Sequence, residues 1–336
     1  MKSVFGNNLV VSLFGESHSK YIGITLNGLP SGEKIDYDFI DSELSRRRPH
    51  KNNETKRIEN DDYEIISGIF NSYTTGAPLT ILIKNNDIDS SSYVEGVVRP
   101  GTSDYPNYVR SDGFNDYRGS GHSSGRLTAA LVAGGAIVKK LLEAKDIKIA
   151  AITKSEDIKD NDTYGFTAII KVSGLPIGVG EPFFDSVEAV LSHLLFSIPS
   201  VKGVSFGDID IATKKGSEVV DELRYEDGKI VIKANHNGGI NGGLTNGNDL
   251  VINVSFKPIS TLAIPVKTVN LKTKENVELN ACGRHDKSIA GRAPVILENM
   301  VAIILKHYFH SKKLINQISF WWRILVSSLR VRSYFC

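Results

Sequence analysis

Residues 123–144 read SSGRLTAALVAGGAIVKKLLEA and form the clearest predicted helix in this sequence. Serines at its start can accept hydrogen bonds from the first free backbone N–H groups, and Lys139 and Lys140 suit the negative end of the helix dipole. Residues 133–136 are Ala-Gly-Gly-Ala, so this stretch carries little side-chain bulk. We therefore expect a buried helix whose backbone lies close to another element.

Short β-rich runs flank this helix on both sides. Before it, we predict four strands, at 8–14, 21–27, 64–70 and 78–84. Between the second and third of these we predict a helix at 36–47, with Asp36 as its N-cap. After it, we predict five strands, at 167–173, 201–209, 229–233, 249–256 and 277–282. We also predict two helices there, at 185–196 and 294–306. The elements follow no regular βαβ rhythm, which favours an α+β fold over a doubly wound sheet.

The composition is that of an ordinary globular protein. The chain has 336 residues, 41% of them hydrophobic, and a net charge of +2, which gives no reason to expect a nucleic-acid or membrane partner. Its two cysteines, Cys282 and Cys336, predict neither a disulfide scaffold nor a metal site. No secretory signal or long apolar segment stands out, so we expect a cytoplasmic protein.

The end of the chain differs from the rest. Residues 306–336 contain six lysines and arginines, no acidic residue and both tryptophans, Trp321 and Trp322. We therefore divide the chain into one main domain, 1–305, and an atypical basic and aromatic tail, 306–336. Three interpretations of the tail stay open: packing on a partner subunit, binding to a membrane surface, or a shifted or truncated reading frame.

Two segments combine residues suited to anion and proton chemistry. Gly15-Glu16-Ser17-His18 follows the first predicted strand, where a Ser–His pair can relay a proton or simply face solvent. Residues 46–51, RRRPHK, end the first predicted helix. Basic residues there complement the helix dipole, but planar guanidinium groups also suit phosphate and carboxylate.

Three glycine-rich segments add further candidates. Residues 118–126, RGSGHSSGR, precede the long helix, where glycines let backbone N–H groups approach an anion, although the spacing fits neither a Walker loop nor G-x-G-x-x-G. Residues 283–286, GRHD, form either a turn with a surface ion pair or part of a site. Residues 236–243, HNGGINGG, form a further glycine-rich loop or a flexible connection.

Together and in this order, these segments resemble the chorismate synthase family. The matching motifs are GESHS, RRRP, RPGTSDY, DYRGSGHSSGRLTA, SVKG, NHNGGINGG, KPIST and GRHDKSIAGRA. The resemblance implies a sandwich of central helices between antiparallel sheets, assembled as a homotetramer. It also implies an anti-1,4 elimination of phosphate from 5-enolpyruvylshikimate 3-phosphate, which gives chorismate for aromatic amino-acid biosynthesis. Reduced FMN is then the cofactor, an external reductant supplies it, and NADPH acts only indirectly.

The resemblance further implies the residues of the site. His18 is the candidate proton donor, Ser17 its relay, and Asp286 helps the flavin N5 accept the substrate's proton; Ser124 is a fourth catalytic candidate. The residues expected to bind the substrate's phosphate and carboxylates are Arg47 or Arg48 together with Arg99, Arg126 and Arg292. The residues expected to bind the flavin are His122, Ser123, Ser124, Pro199, Ser200, Gly242, Lys257, Pro258, Ile259, Ser260, Thr261 and Arg284.

The sequence departs from the family pattern at several positions. Thr102 stands where the family commonly has the histidine that stabilises the reduced flavin, and His122 stands where it often has arginine. The familiar Pro-Cys after GRHD is Lys287-Ser288. These changes motivate an alternative, a catalytically impaired homologue that still binds flavin and anions. A module that binds RNA or phosphoproteins through its arginines is disfavoured by the balanced charge and the lack of interleaved aromatic residues.

Overall fold

A computed structural model describes residues 2–49, 60–154, 162–280 and 286–309. In these ranges, strands β1 to β17 are Val4–Phe5, Val10–Gly15, Tyr21–Asn27, Tyr63–Ser67, Ile69–Phe70, Tyr73–Thr74, Leu79–Lys84, Lys148–Lys154, Phe166–Ser173, Val201–Phe206, Leu223–Glu226, Lys229–Ile232, Ile240–Asn241, Leu244–Thr245, Leu250–Phe256, Val266–Asn270 and Glu275–Leu279. Helices α1 to α5 are Tyr37–Arg47, Asp104–Arg110, Thr128–Glu143, Val187–Leu195 and Ala293–Tyr308.

Two antiparallel sheets enclose the long helices. One has the strand order β1-β2-β3-β7-β4 and the other β10-β15-β9-β8. Helix α3 packs on β3 and β7 of the first sheet, α5 packs on β8 and β9 of the second, and α3 and α5 pack on each other. The predicted α+β class, with central helices between antiparallel sheets, is confirmed.

Buried apolar side chains alternate with more exposed ones along the strands, so each sheet has one apolar face that packs against a helix. In β3, Ile22, Ile24 and Leu26 are fully buried, and their paired strand β7 buries Ile81 and Ile83 in the same way. Side chains two residues apart lie on one face of a sheet, so these residues form a continuous surface against α3. In the second sheet, β9 and β15 present the same pattern toward α5.

Helix α1 begins and ends as predicted and brings its arginines to the site. Asp36 is the N-cap, and its Oδ1 accepts a hydrogen bond from the Phe39 N–H at 3.0 Å. The helix ends at Arg47, and Arg48 is extended, as expected for a residue before proline. Arg46, Arg47 and Arg48 therefore leave the helix in three directions.

The predicted start of the long helix at residue 123 is wrong. Gly119, Ser120 and Gly121 all have positive φ, 56°, 67° and 52°, and a 3-10 turn at Gly125–Leu127 follows before α3 begins at Thr128. Such a loop folds back on itself and turns several polar groups to one side. The residues assigned to the helix start instead form part of the site.

Other boundaries differ where glycine interrupts a strand. The predicted strand 64–70 is two strands, β4 and β5, because Gly68 has φ +83° and a Cβ there would meet the backbone of Leu79 at 2.5 Å. Strand β10 ends at Phe206 rather than residue 209, before Gly207 with φ +68°. Strands β8, β11 and β16 and helix α2 were not predicted, and helix α5 continues through Tyr308.

The contact between α3 and α5 depends on Gly135. A Cβ built there would lie 2.5 Å from Asn299 Cβ and 2.8 Å from its backbone oxygen, whereas a Cβ at Gly134 would meet only the side-chain ends of Ile24 and Leu26. We expect Gly135→Ala to lower the free energy of unfolding by about 1–3 kcal/mol, although alanine favours helices. Gly134→Ala is the matched control, and urea unfolding should show the smaller change there. Equal stability of the two variants would contradict this packing.

A core ion cluster, Glu43, Arg46, Lys139, Glu298 and Asn299, joins α1, α3 and α5. Lys139 Nζ donates to Glu43 at 3.0 Å and to Glu298 at 2.6 Å, and Arg46 donates to both carboxylates at 2.6 Å. Asn299 Nδ2 donates to Glu43 at 2.7 Å. Glu43, Lys139 and Glu298 are buried, and the partly exposed Arg46 reaches them from the surface, so two acids and two bases balance at the edge of the core, where an unpaired charge would be costly.

Candidate active site

A cavity of about 930 Å³ lies between the end of α1, the loop before α3 and the first turns of α5. This is near the upper end of the range, about 300–1,000 Å³, for small-molecule sites. Part of the lining is apolar, with Leu13, Leu131, Ile198, Ile296 and Met300. The lining also carries the Ser, His and Arg side chains of the sequence motifs. The cavity suits a ligand set with both apolar rings and anionic groups.

Positive charge is concentrated in this cavity. Its lining includes two aspartates, Asp61 and Asp286, and eight basic residues: Lys2, Arg47, Arg48, Arg99, Arg126, Lys202, Lys257 and Arg292. The whole chain has a net charge of only +2, so the excess is local. A concave surface with this balance attracts anions such as phosphates and carboxylates.

Arg47 and Arg126 form a buried pair around one carboxylate. Asp61 Oδ2 accepts a hydrogen bond from Arg47 Nη1 at 2.9 Å, and Asp61 Oδ1 accepts one from Arg126. Arg47 Nε also donates to Thr128 Oγ1 at 3.1 Å. Burial alone would raise the pKa of Asp61, but the two guanidinium groups hold it below its ordinary value. Asp61 therefore stays ionised and fixes both arginines.

Arg48 and Arg292 each have a buried hydrogen-bond donor that no described residue accepts from. The Nε atoms of both are buried and have no hydrogen-bond partner in the part of the chain that the structure describes. Arg292 Nη2 donates to Asp286, which leaves the Nε edge of the same guanidinium for another group. Buried donors of this kind normally have partners, so a bound anion is the natural one. Arg47, by contrast, already donates to Asp61 and Thr128.

Arg99 lines the cavity but is held by protein groups. Its Nε and Nη2 donate to the two oxygens of Asp104 at 2.8 and 2.9 Å, and Nη2 also donates to Ser120 Oγ at 2.8 Å. The guanidinium lies 5.0 Å from the centre of the Tyr93 ring. These contacts fix the plane of the guanidinium and neutralise much of its charge.

Ser17 and His18 lie in the loop between β2 and β3 and are nearly fully buried. The Ser17 N–H donates to the Gly121 carbonyl at 3.0 Å, and a Cβ at Gly119 would lie 2.7 Å from Ser17 Oγ and 3.0 Å from His18 Nε2. On its other side, His18 Nδ1 shares a hydrogen bond with Ser90 Oγ at 2.7 Å. Only glycine at position 119 lets the loop before α3 approach the imidazole so closely.

His122 and Thr102, two of the departures from the family pattern, both line the cavity. His122 Nδ1 must carry a hydrogen, because it lies 2.7 Å from the Gly15 carbonyl, which can only accept. Its Nε2 lies 2.6 Å from Ser3 Oγ. Thr102 Oγ1 donates to the Arg99 carbonyl at 2.8 Å and accepts from the Asp104 N–H, so it supports the turn before α2.

The residues expected to bind the flavin lie mostly along one side of the cavity. Those that line it are His122, Ser123, Ser124, Pro199, Ser200, Lys257, Ile259, Ser260 and Thr261. Lys257 Nζ donates to Ser260 Oγ and to the Gly101 carbonyl, both at 2.6 Å. Burial and the neighbouring Lys202 lower the pKa of Lys257. An anion beside the two lysines would relieve their repulsion.

Two of the expected flavin residues, Pro258 and Gly242, are described but are not in the lining. Pro258 lies in the same segment but does not face the cavity, and Gly242 lies in the turn between β13 and β14. Arg284 lies outside the described residues, as does His285. All four catalytic candidates, Ser17, His18, Ser124 and Asp286, and all five substrate arginines are in the lining.

Sequence reasoning missed the residues that hold the site together: Asp61, Asn85, Ser90, Tyr93 and Asp104. Each is a single polar residue in a loop or at the end of a strand, apart from Asp104, which is part of the RPGTSDY motif. Apart from Asp104, which binds Arg99 five residues away, their partners lie elsewhere in the sequence, so no spacing rule identifies them.

Among the described residues, no group of three or more His, Cys, Asp or Glu side chains is arranged to hold a metal ion. Within the same ranges, every helix is too short or too polar to cross a bilayer.

Comparison with known proteins agrees with the geometry of the cavity. The family model described as chorismate synthase matches residues 9–157 and 155–309. A chorismate synthase of Pyrococcus abyssi is 37% identical, with 89% of this chain and 95% of the relative covered. One of Chitinophaga pinensis is 40% identical, with 94% and 98% covered. A solved structure of chorismate synthase matches with a TM-score of 0.70 at 24% identity, over 90% of this chain and 92% of the other, which supports the fold. The chain belongs to the chorismate synthase family.

Proposed function

We propose that this chain is a carbon–oxygen lyase that eliminates phosphate from 5-enolpyruvylshikimate 3-phosphate and forms chorismate. The observation that carries the proposal is the convergence of five arginines with Ser17, His18 and Asp286 on one cavity. The substrate carries a phosphate and two carboxylates, so it needs several cations in one place. The family membership supports the same reaction.

In this proposal, Arg48, Arg126 and Arg292 bind the substrate's anionic groups. The unpartnered Nε atoms of Arg48 and Arg292 supply donors, and Asp61 keeps Arg126 in place. Arg47 and Arg99 add positive field but are held by Asp61 and Asp104. Preorganised donors of this kind stabilise charge on a leaving phosphate at little cost in reorganisation.

The reaction breaks the carbon–oxygen bond to phosphate, removes a proton from the ring and forms a new double bond. The electron pair of the broken bond leaves with the phosphate, where His18 donates a proton, with Ser17 beside it as relay. Asp286 would help the reduced flavin, when bound, to accept the ring proton that is lost, and Ser124 lines the cavity where that flavin would lie. The net reaction neither oxidises nor reduces the substrate.

We further propose that the flavin is FMN, bound by His122, Ser123, Ser124, Ser200 and the segment 257–261. The donor set fits such a group: Lys202 and Lys257 suit its phosphate, and the apolar part of the lining suits its ring. Gly101 also fits, because a Cβ there would lie 2.9 Å from Ser260 Oγ and narrow this side of the cavity. Reduced flavin, when bound, supplies the electron-rich ring on which the family's chemistry depends.

The resemblance also supports several proposals about the protein's surroundings. These are a homotetramer, an external source of reduced flavin with NADPH acting only indirectly, and a cytoplasmic location. A catalytic domain within residues 1–305 and a separate role for residues 306–336 are proposed on the same footing. Sedimentation of the purified protein would test the assembly.

The proposed pocket is tested by titrating FMN in the presence and absence of the phosphorylated substrate. Because substrate and flavin share one cavity, we expect tight flavin binding, seen as a change in its absorption spectrum, only when the substrate is present. Inorganic phosphate at the same concentration is the control. Flavin binding that is unaffected by the substrate would contradict a shared site.

A catalytically impaired homologue is the second candidate, and Thr102 motivates it. Its hydroxyl is used in the turn before α2, and it cannot carry a proton for the flavin. Replacing Thr102 with histidine distinguishes the two. A large gain in phosphate release would indicate impairment, whereas unchanged turnover in an active enzyme would mean that another group, such as His122, already serves.

A further inference from the structure

Asn85 joins two parts of the site without lining the cavity. It follows β7 directly and is 6% exposed, and its backbone N–H donates to the Lys20 carbonyl at 3.1 Å. Its side-chain Oδ1 accepts a hydrogen bond from Arg126 Nε at 2.8 Å. Its Nδ2 lies 2.7 Å from the Ser19 carbonyl and 3.3 Å from those of Glu16 and Ser17.

The orientation of this amide follows from the chemistry of its partners. Arginine can only donate, so the Asn85 oxygen must face Arg126, and backbone carbonyls can only accept, so the nitrogen must face the loop. The loop in question, 16–19, carries Ser17 and His18. A single buried amide therefore links the arginine pair around Asp61 to the backbone that presents the imidazole.

The segment after Asn85 holds the imidazole ring itself. Ser90 Oγ lies 2.7 Å from His18 Nδ1, and the Tyr93 ring packs edge-on against the imidazole with centroids 5.2 Å apart. Tyr93 also lies under Arg99. This stretch therefore helps to set the position of the His18 ring, and Asn85 is the point where the stretch is attached to the 16–19 loop.

We propose that Asn85 is a positioning residue that fixes the distance between His18 and Arg126. This rests on the proposed function, in which His18 protonates the phosphate that the arginines bind. A displacement of about 1 Å in a catalytic group can lower the rate about 100-fold. Asn85 acts through backbone carbonyls and Arg126 Nε, and it touches no reacting atom.

The test is Asn85→Asp, compared with Asn86→Asp at the exposed neighbouring position. The new carboxylate keeps an acceptor for Arg126 Nε but offers no donor to the three carbonyls, so the loop should move while Arg126 stays. We expect kcat to fall about 100-fold. The substrate's dissociation constant, measured by calorimetry with oxidised FMN so that no turnover occurs, should rise far less than kcat falls, because the added charge faces Arg126 but the arginine keeps its place. Asn86→Asp should behave as wild type in both assays.

Asn85→Ser is the second variant, since it adds no charge and its hydroxyl can serve only one of the two sides. It should also lower kcat, and circular dichroism should show a folded protein. A folded variant of either kind with wild-type kcat, or one that loses only substrate affinity, would overturn the inference. An inactive wild-type enzyme would instead refute the proposed function, so the two failures are distinguishable.

Discussion

His18→Ala should lower kcat for phosphate release about 100- to 10,000-fold, the usual contribution of a positioned general acid. The imidazole is nearly buried, is oriented by Ser90 and Tyr93, and faces the cavity beside Ser17. KM should change little, because the substrate's charges are bound by arginines rather than by the imidazole. Steady-state assays with reduced FMN under anaerobic conditions measure both constants.

The control for this variant is His236→Ala. His236 lies outside the cavity lining and is paired with Asp208, with its Nδ1 2.8 Å from Asp208 Oδ2. The same substitution there should leave kcat and KM unchanged. A His18→Ala enzyme with wild-type kcat would mean that the leaving phosphate takes its proton from elsewhere, and the assignment of the general acid would be wrong.

Glu298→Gln should lower the free energy of unfolding by about 3–5 kcal/mol, the usual cost of breaking a buried ion pair from one side. The substitution keeps the shape of the side chain but leaves Arg46 and Lys139 with a single carboxylate, Glu43. It also weakens the acceptor for the Ala151 N–H of β8 at 3.0 Å. Chemical denaturation measures the loss. The control is Asp249→Asn, which breaks an exposed pair with Lys171 and should cost less than about 1 kcal/mol.

The same variant should change how stability depends on pH. Burial alone would raise the pKa of Glu298, but Arg46 and Lys139 hold it below its ordinary value. A lowered carboxyl pKa stabilises the fold above the unfolded value of about 4.3, and this contribution is lost as pH falls through the folded value. The difference between wild type and Glu298→Gln should therefore narrow on acidification. A constant difference from neutral to acidic pH would contradict an ionised Glu298.

Much of the fold could be predicted because its signals are local. Strand β3 was predicted with its observed bounds, and α1 with its N-cap, since period-two alternation and capping are properties of neighbouring residues. The start of α3 could not be predicted in this way. Three consecutive residues with positive φ in 119–121 depend on contacts with the 16–18 loop, which is far away in the sequence.

The candidate site shows the same difference between residues that a local signal identifies and residues that only distant contacts place. Motif order identified the arginines and the Ser17–His18 pair, and the structure brings them into one cavity. The residues that hold them, such as Asp61 between Arg47 and Arg126, have no motif of their own. Sequence also left Arg47 and Arg48 equivalent. The structure distinguishes them by their contacts: Arg47 donates to Asp61 and Thr128, whereas Arg48 Nε has no partner among the described residues.

The central claim is that one arginine-lined cavity binds the phosphorylated substrate beside a reduced flavin and expels its phosphate. The most direct measurement is an anaerobic assay of the purified chain with chemically reduced FMN and 5-enolpyruvylshikimate 3-phosphate. We predict that inorganic phosphate and chorismate, followed by its absorbance, form in equal amounts. Both should form only when protein and reduced flavin are present together. Absence of both products from folded protein under these conditions would contradict the account.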